Sequence, residues 1–403
     1  MLLRFEDFNY NNKTVAIRVD LNAPYDPKIK TISETPRLID HAKTIQELIK
    51  QGAKTVILAH QGRKEDEDFI SLEQHAALLQ KRLNRAVRFV RLDSDFSEIK
   101  NMKPGEVILL DNVRIFDDET KELTAEEHSK SMLPKKLSPF IDYFILDAFS
   151  IAHRGHASVV GFCSTKPCIA GPIFLKEFDF LQKFMKEIQT SDNDVFVLGG
   201  AKPDEPLNLI ERLFGKGVEK IITTGVISLM LLKARGYNLG KTEDFLKEKG
   251  YLKYMDKITK FAAEKEIYTP LDFAVERDGK RVEIDIKDLP VNEPLLDIGA
   301  KTIDAYRNII HGANVVCMKG PAGVYEKKDF AFGTQKLFEA IAESECISLI
   351  GGGNSTDAMQ LLKIPPERYT YVSLSGGAFV EFLTGVELPG IKALEISAKN
   401  FGK

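Results

Sequence analysis

Short, unbroken apolar runs recur along this chain, and they do not alternate with polar residues. TVAIRV (14–19), KTVILA (54–59), EVILL (106–110), YFILDA (143–148), DVFVLG (194–199), KIITT (220–224), NVVCM (314–318), CISLI (346–350) and TYVSL (370–374) are of this kind. A strand with one face in water alternates, whereas a strand covered on both faces does not. Segments of helical period separate the runs. In TPRLIDHAKTIQELIKQGAK (35–54), Leu38, Ile39, Ala42, Ile45, Leu48 and Ile49 share one face, Pro36 starts the helix and Gly52 stops it. SLEQHAALLQKRLN (71–84), FGTQKLFEAIAES (332–344) and STDAMQLLK (355–363) repeat the pattern. Strand and helix in succession predict parallel sheets with right-handed crossovers, hence the α/β class.

A chain of 403 residues implies more than one domain. The break lies near KPCIAGPIFLKE (166–177), rich in proline and glycine, which runs into a charged helical stretch, KEFDFLQKFMKEIQ (176–189). The first domain is placed at 1–175, a linker helix at 176–189 and the second domain from 190. Beyond it, 241–266 reads as solvent-facing helices. AVERDGKRVEIDI (274–286) reads as a hairpin turning at Asp278-Gly279.

A net charge of −3 argues against a general nucleic-acid or membrane-surface protein, so any basic site is local. Four cysteines without a Cys-x-x-Cys pair make neither a disulfide framework nor a structural zinc site. The N-terminus is charged and polar, unlike a signal peptide, and no apolar run approaches the ~18 residues of a membrane span. The expectation is a soluble, reduced, cytoplasmic protein.

Ligands of open α/β sheets bind beyond the carboxyl ends of the strands. In the first half those ends carry Asp20-Leu21-Asn22, His60-Gln61-Gly62-Arg63, Asp111-Asn112-Val113-Arg114 and His153-Arg154-Gly155-His156, with Arg37 at a helix start. One such arginine is ordinarily a surface ion-pair partner. Four at one edge, with three histidines, point to an anion site, because guanidinium forks match carboxylate and phosphate oxygens. In the second half the ends are glycine-rich: Gly199-Gly200-Ala201-Lys202, Gly320-Pro321-Ala322-Gly323, Gly351-Gly352-Gly353-Asn354 and Gly376-Gly377. Such turns bring backbone N–H groups to phosphate at a helix N-terminus. There is no P-loop and no Gly-x-Gly-x-x-Gly after the first strand of either half. An anionic small-substrate site in one domain and a nucleotide-like site in the other suit phosphoryl transfer with closure, which excludes water.

Taken together, these residues resemble the phosphoglycerate kinase family. RVDLNAP (18–24), AHQGR (59–63), LLDNVR (109–114), DAFSIAHRGHAS (147–158), GPIFLKE (171–177), GGAK (199–202), DIGAKT (297–302), KGPAGVYE (319–326), FGT (332–334), GGGN (351–354), SGGAFVEFL (375–383) and LPG (388–390) follow the family's motifs in order over nearly the whole chain. TPLDFAVE (269–276) and AGVYE (322–326) are most similar to archaeal members. The resemblance implies two Rossmann-like domains joined by the linker helix and a hinge. The second extends to 385, and a tail, 386–403, returns to the first. It implies reversible phosphoryl transfer between 1,3-bisphosphoglycerate and ADP, giving 3-phosphoglycerate and ATP, with Mg²⁺, in a monomer or alternatively a dimer. Asp20, Leu21, Asn22, Arg37, His60, Gln61, Gly62, Arg63, Arg114, His153 and Arg154 would bind the phosphoglycerate. Arg37, Lys202, Gly353 and Gly376 would serve catalysis. Gly200, Lys202, Lys319, Pro321, Glu326, Gly352, Gly353, Asn354 and Ser355 would hold the nucleotide, with Gly377 also donating an N–H. The ion would sit on the phosphates, near Asn354. His60 and His153 are expected to orient arginines or carboxylate rather than act as bases.

The departures from the family pattern fall in the nucleotide half. Pro206 stands where many members have a second lysine, Asn354 where an aspartate supports Mg²⁺, Lys319 where asparagine precedes Gly-Pro, Leu374-Ser375 for Thr-Gly, and Thr224 for glycine. One lysine lost and one gained at the same edge leads to the expectation that Lys319 supplies charge that Pro206 cannot. The alternative is a related binding or regulatory protein with a weakened nucleotide site.

Overall fold

The structure, a computed structural model, describes residues 2–214, 218 and 220–402. They form two compact units, one running to Asp179 and taking up the chain again from Val386, the other Phe180–Gly385. The division falls inside a single helix, Pro172–Thr190. That helix begins four residues before the expected 176, because Pro172 supplies the fixed φ suited to a first helical position.

In the first unit six parallel strands run, edge to edge, Val87–Val90, Val107–Leu110, Lys54–Leu58, Thr14–Arg18, Tyr143–Leu146 and Cys168–Ala170. Thr14–Arg18 is central, pairing Ala16 with Val56 on one side and with Phe144 on the other, and all five of its residues are buried. Helix Pro36–Lys50 covers the sheet with Leu38, Ala42, Ile45 and Leu48. Each such side chain contributes about 1.5–3 kcal/mol by leaving water. The helix starts at Pro36 because the Thr35 hydroxyl accepts the Leu38 N–H at 3.2 Å. The final helix, Pro389–Phe401, packs on this unit: Gly390 N–H donates to Ala152 O at 2.8 Å, and Ser397 Oγ accepts from Cys168 N–H at 2.7 Å.

The second unit has its own six-stranded parallel sheet, in the order Ile267–Tyr268, Lys220–Thr223, Asp194–Leu198, Val315–Lys319, Ile347–Gly351, Tyr371–Ser373. A three-stranded antiparallel sheet carries the hairpin Asp272–Arg277 and Lys280–Asp285. Its turn is at Asp278 and Gly279, both with positive φ, as the Asp-Gly pair predicts. Val87–Val90, Cys168–Ala170 and Ile267–Tyr268 were not among the expected strands. All three are sheet edges of two to four residues, too short to stand out as apolar runs. Among the described residues no helix is long and apolar enough to cross a membrane.

In both sheets the strand order reverses beside one strand. In the first unit that strand is Thr14–Arg18, flanked by Lys54–Leu58 and Tyr143–Leu146; in the second it is Asp194–Leu198, flanked by Lys220–Thr223 and Val315–Lys319. The loops leaving a sheet at such a point part to opposite faces and open a crevice. The motif residues follow these strands.

Candidate active site

In the first unit Asp20 is 3% exposed, two residues past the central strand. Its carboxylate accepts from Arg37 Nη1 at 3.0 Å, Ser150 Oγ at 2.6 Å and the Asn22 N–H at 3.2 Å. Burial pushes this carboxyl up, but the Arg37 charge and the Ser150 hydrogen bond outweigh it and hold the group well below the usual carboxylate range. Asp20 is therefore a fixed negative charge anchoring Arg37 at the first turn of its helix.

His60 is buried, and its Nδ1 lies 3.0 Å from Arg18 Nη2. A guanidinium only donates, so Nδ1 is the acceptor and the ring proton sits on Nε2. Burial, with Arg18 second, keeps the ring neutral well below its ordinary range. Arg18 in turn donates from Nε to Ser158 Oγ at 2.9 Å and from Nη1 to Val19 O. Ser158 gives its hydroxyl to Glu119 at 2.6 Å and its N–H at 2.9 Å. His60 is thus an oriented neutral donor and is not poised as a base.

Arg114 is half-buried and reaches back to Gly62 O. Burial lowers its pKa, Glu119 opposes that, and Arg63 and Arg154 lower it further. Two further guanidinium groups, those of the exposed Arg63 and Arg154, therefore lie within electrostatic reach of Arg114. An anion among them removes that repulsion. Gly62 joins the loops: its N–H donates to Asn22 Oδ1 at 3.0 Å and its φ is +62°. A Cβ there would lie 2.5 Å from Asp68 Oδ1 and 2.6 Å from Asp68 backbone, so no other residue fits.

Two expected ligand-binding side chains sit elsewhere. Leu21 and Gln61 are fully buried. Gln61 pairs with Ala23, accepting its N–H at 2.8 Å and donating to its carbonyl at 2.9 Å, so it clamps the 20–24 loop. What either offers a ligand is backbone. His153 is half-buried between Ala152 and the exposed Arg154.

In the second unit three loops lock together through backbone. Gly199 N–H donates to Lys319 O at 2.8 Å, Gly200 N–H to Pro321 O at 2.8 Å, and Gly225 N–H to Ala322 O at 3.1 Å. Gly320 has φ +83°, and a Cβ on it would lie 2.4 Å from Gly199 O. Pro321 is buried and Ser355 is fully buried, its Oγ accepting from Gly320 N–H at 2.8 Å. Both are struts, and the Ser355 hydroxyl is not presented to a ligand.

Helices Gly353–Leu361 and Gly376–Leu383 both start without a side-chain cap and without an acid in the first turn. Gly353 and Asn354 are exposed and Gly376 and Gly377 half-exposed, so their N–H groups are available to an anion. Lys202 is exposed and, among the described residues, makes no ion pair. Lys319 differs from the sequence expectation. Its side chain is 9% exposed and its Nζ is paired with Glu205, while the Cβ position of Gly352 lies 3.7 Å from that Nζ. Its charge is matched by Glu205 rather than spare. Glu326 is exposed beside a cavity of about 660 Å³ that Arg281, Tyr325, Phe332 and Leu361 also line.

Arg18, His41, Glu119, Ser150, Ser158 and Glu205 support these sites, and the sequence motifs did not single out their roles. Only His41 leaves a signal, standing four residues after Arg37 on one helix face.

The buried titratable groups set a pH dependence. Burial, the leading cause in each case, pulls His75 down to about 4, His156 down to about 3 and His60 well below its ordinary range, while it pushes Glu119 up to about 7. Below about pH 6.5 the unfolded chain binds three protons that the folded histidines refuse, and stability falls. Glu119 acts oppositely, since its folded carboxyl keeps a proton that the unfolded one releases above about pH 4.5. Asp297, which burial pushes up to about 6, acts in the same sense as Glu119, so three groups against two leave a net loss of order 1 kcal/mol per pH unit as pH drops from 6.5 to 4.5. Urea unfolding at steps through that range is expected to show the midpoint falling, with a shallower fall in His75→Gln. A flat profile would contradict the burial assignments.

The phosphoglycerate kinase family model matches residues 5–386. A phosphoglycerate kinase of Pyrococcus abyssi is 40% identical over 414 residues, covering 99% of both chains. That of Methanothermobacter thermautotrophicus is 39% identical over 400 residues, covering 97% of this chain and 96% of its own. Among solved structures, phosphoglycerate kinase from Pyrococcus horikoshii OT3 superimposes with a TM-score of 0.90 at 38% identity, covering 99% of this chain and 100% of that one. The Coxiella burnetii enzyme does so at 0.80 and 33%, covering 98% and 99%.

Proposed function

The chain belongs to the phosphoglycerate kinase family, and from that premise we propose how its two units divide the reaction. The activity is reversible phosphoryl transfer between 1,3-bisphosphoglycerate and ADP. In the ATP-consuming direction a carboxylate oxygen of 3-phosphoglycerate bonds to the γ-phosphorus as the bond from that phosphorus to the β,γ-bridging oxygen breaks. The first unit holds the phosphoglycerate and the second the nucleotide. What carries this reading is the arginine group of the first unit: Arg114 with Arg63 and Arg154 within its electrostatic reach, and Arg37 anchored by an ionised Asp20.

In this reading Arg63, Arg114 and Arg154 take the substrate's phosphate, with Asn22, His60 Nε2–H, His153 and Gly62 around its carboxylate and hydroxyl. Arg37 faces the transferring phosphoryl group. Charge spreads over three equatorial oxygens as that group moves, and pre-aligned cations and N–H groups stabilise it without reorganising. Lys202 and the N–H groups of Gly353 and Gly376 are the matching donors in the second unit. Gly200, Gly352 and Asn354 line the phosphates and Glu326 the ribose. Among the described residues no group of three His, Cys, Asp or Glu is arranged to hold a metal. Magnesium comes with the nucleotide as Mg·ATP or Mg·ADP, with Asn354 the neighbouring acceptor, and the protein acts in the cytoplasm.

The test is an assay coupling ADP release to NADH oxidation, with ATP and 3-phosphoglycerate. Turnover requiring both substrates and lost on adding EDTA is expected. Calorimetry with 3-phosphoglycerate on Arg63→Ala and Arg114→Ala should show affinity lost by about 1.5–3 kcal/mol for each charge-assisted contact. Unchanged affinity in both variants would refute the substrate assignment.

A further inference from the structure

Beneath Arg37 lies a buried chain of polar groups that the transfer chemistry does not itself require. His41 follows Arg37 by four residues in helix Pro36–Lys50, so the two share a face. Its ring is 3% exposed. The Asp20 N–H donates to His41 Nε2 at 3.2 Å, which makes Nε2 the unprotonated nitrogen. The proton is then on Nδ1, which donates to Asp147 Oδ2 at 3.0 Å. Asp147 is fully buried, and its other oxygen accepts the Ile173 N–H at 2.9 Å, in the first turn of Pro172–Thr190. A Cβ on Gly171 would lie 2.3 Å from that oxygen, so the carboxylate is boxed in.

One helix therefore grips one residue at both ends: Arg37 takes the Asp20 carboxylate and His41 takes the Asp20 backbone. We propose that His41, held in one tautomer by Asp147, is a positioning residue that keeps Asp20 and Arg37 aligned for phosphoryl transfer. The proposal rests on the reading of Arg37 as a group at the transferring phosphoryl. Satisfying a buried ring would need only some pair of partners. Here the pair fixes which nitrogen is bare, and the bare one faces the main chain of Arg37's own anchor.

Asp147→Asn separates these roles. An asparagine has one acceptor, which the Ile173 N–H claims, and its NH₂ then faces His41 Nδ1. The ring must move its proton to Nε2, where it meets the Asp20 N–H donor to donor. Ring ¹⁵N spectra should show Nδ1–H for His41 in the parent protein and Nε2–H in Asp147→Asn. With that switch kcat should fall about tenfold or more, with KM for 3-phosphoglycerate within about twofold, because a small displacement at a reacting centre costs rate more than binding. His41→Gln, which keeps an acceptor for Asp20 and a donor for Asp147, should retain kcat within about threefold, whereas His41→Leu should match Asp147→Asn. An Nε2–H tautomer in the parent protein, or equal kcat for His41→Gln and His41→Leu, would overturn the proposal. Arg37→Ala run in parallel keeps the two readings apart. If it leaves kcat intact, the phosphoryl-site reading fails; if it abolishes turnover while Asp147→Asn does not slow it, only the positioning role fails.

Discussion

Arg37→Ala is expected to lower kcat by about 10³-fold, the scale of an arginine that stabilises a transferring phosphoryl group, while KM for 3-phosphoglycerate rises much less. Thr35 and Pro36 fix where the helix begins, and that puts Arg37 in its first turn at the carboxyl edge of the sheet. Asp20 then holds Nη1 at 3.0 Å, yet the side chain remains 31% exposed. A guanidinium fixed in place by a buried carboxylate and still partly exposed can meet new charge without reorganising. About 4 kcal/mol of transition-state stabilisation corresponds to that rate loss. Removing the arginine also strips a buried carboxylate of its main countercharge, so some stability is lost as well. Arg37→Lys separates the effects. It restores the charge beside Asp20, and hence folding, but not the planar fork, and kcat should stay at least ~10²-fold down. Single-turnover and steady-state kinetics on both variants check this. A defect confined to KM would reassign Arg37 to ground-state binding.

The contrast between legible and illegible residues has a physical basis. Thr14–Arg18 and Asp194–Leu198 could be read from the chain because a strand buried on both faces must be apolar throughout, and they proved to be the strands beside which each sheet reverses. Cys168–Ala170 is just as buried, but it is only three residues long and lies within a proline- and glycine-rich stretch, so it leaves no run to read. Motif residues on loops were legible because ligand chemistry restricts them. The groups beneath them were not, because their partners are far off in sequence. His41 meets Asp147 across 106 positions, and Lys319 meets Glu205 across 114. Nothing local announces such a pair. The Lys319–Glu205 contact also changes what a lysine after a strand means: a cation was expected at that edge, and a matched pair stands there.

Lys202→Ala is expected to lower kcat by about 10²–10³-fold, the loss typical of one transition-state donor, with KM for ATP changed by less than about tenfold. Lys319 is nearly enclosed and paired with Glu205. Arg281, beside Glu326, is tied up by Asp297 at 2.8 Å and by Ile298 O at 2.8 Å. Lys202 alone of these is exposed and uncommitted among the described residues, on a loop that Gly199 and Gly200 clamp to the neighbouring strand ends. A flexible ammonium on a rigid loop can follow a moving phosphoryl group, which a paired or buried cation cannot. Lys319→Asn should behave differently. It leaves Glu205 uncompensated near the N-terminus of helix Gly353–Leu361, so KM for ATP should rise while kcat at saturation changes little, and Glu205→Gln in the same background should reverse the rise. Initial-rate kinetics with ATP varied at saturating 3-phosphoglycerate resolve the two patterns. If Lys319→Asn costs kcat and Lys202→Ala costs only KM, the roles of the two lysines are exchanged, and the ion pair must open during turnover.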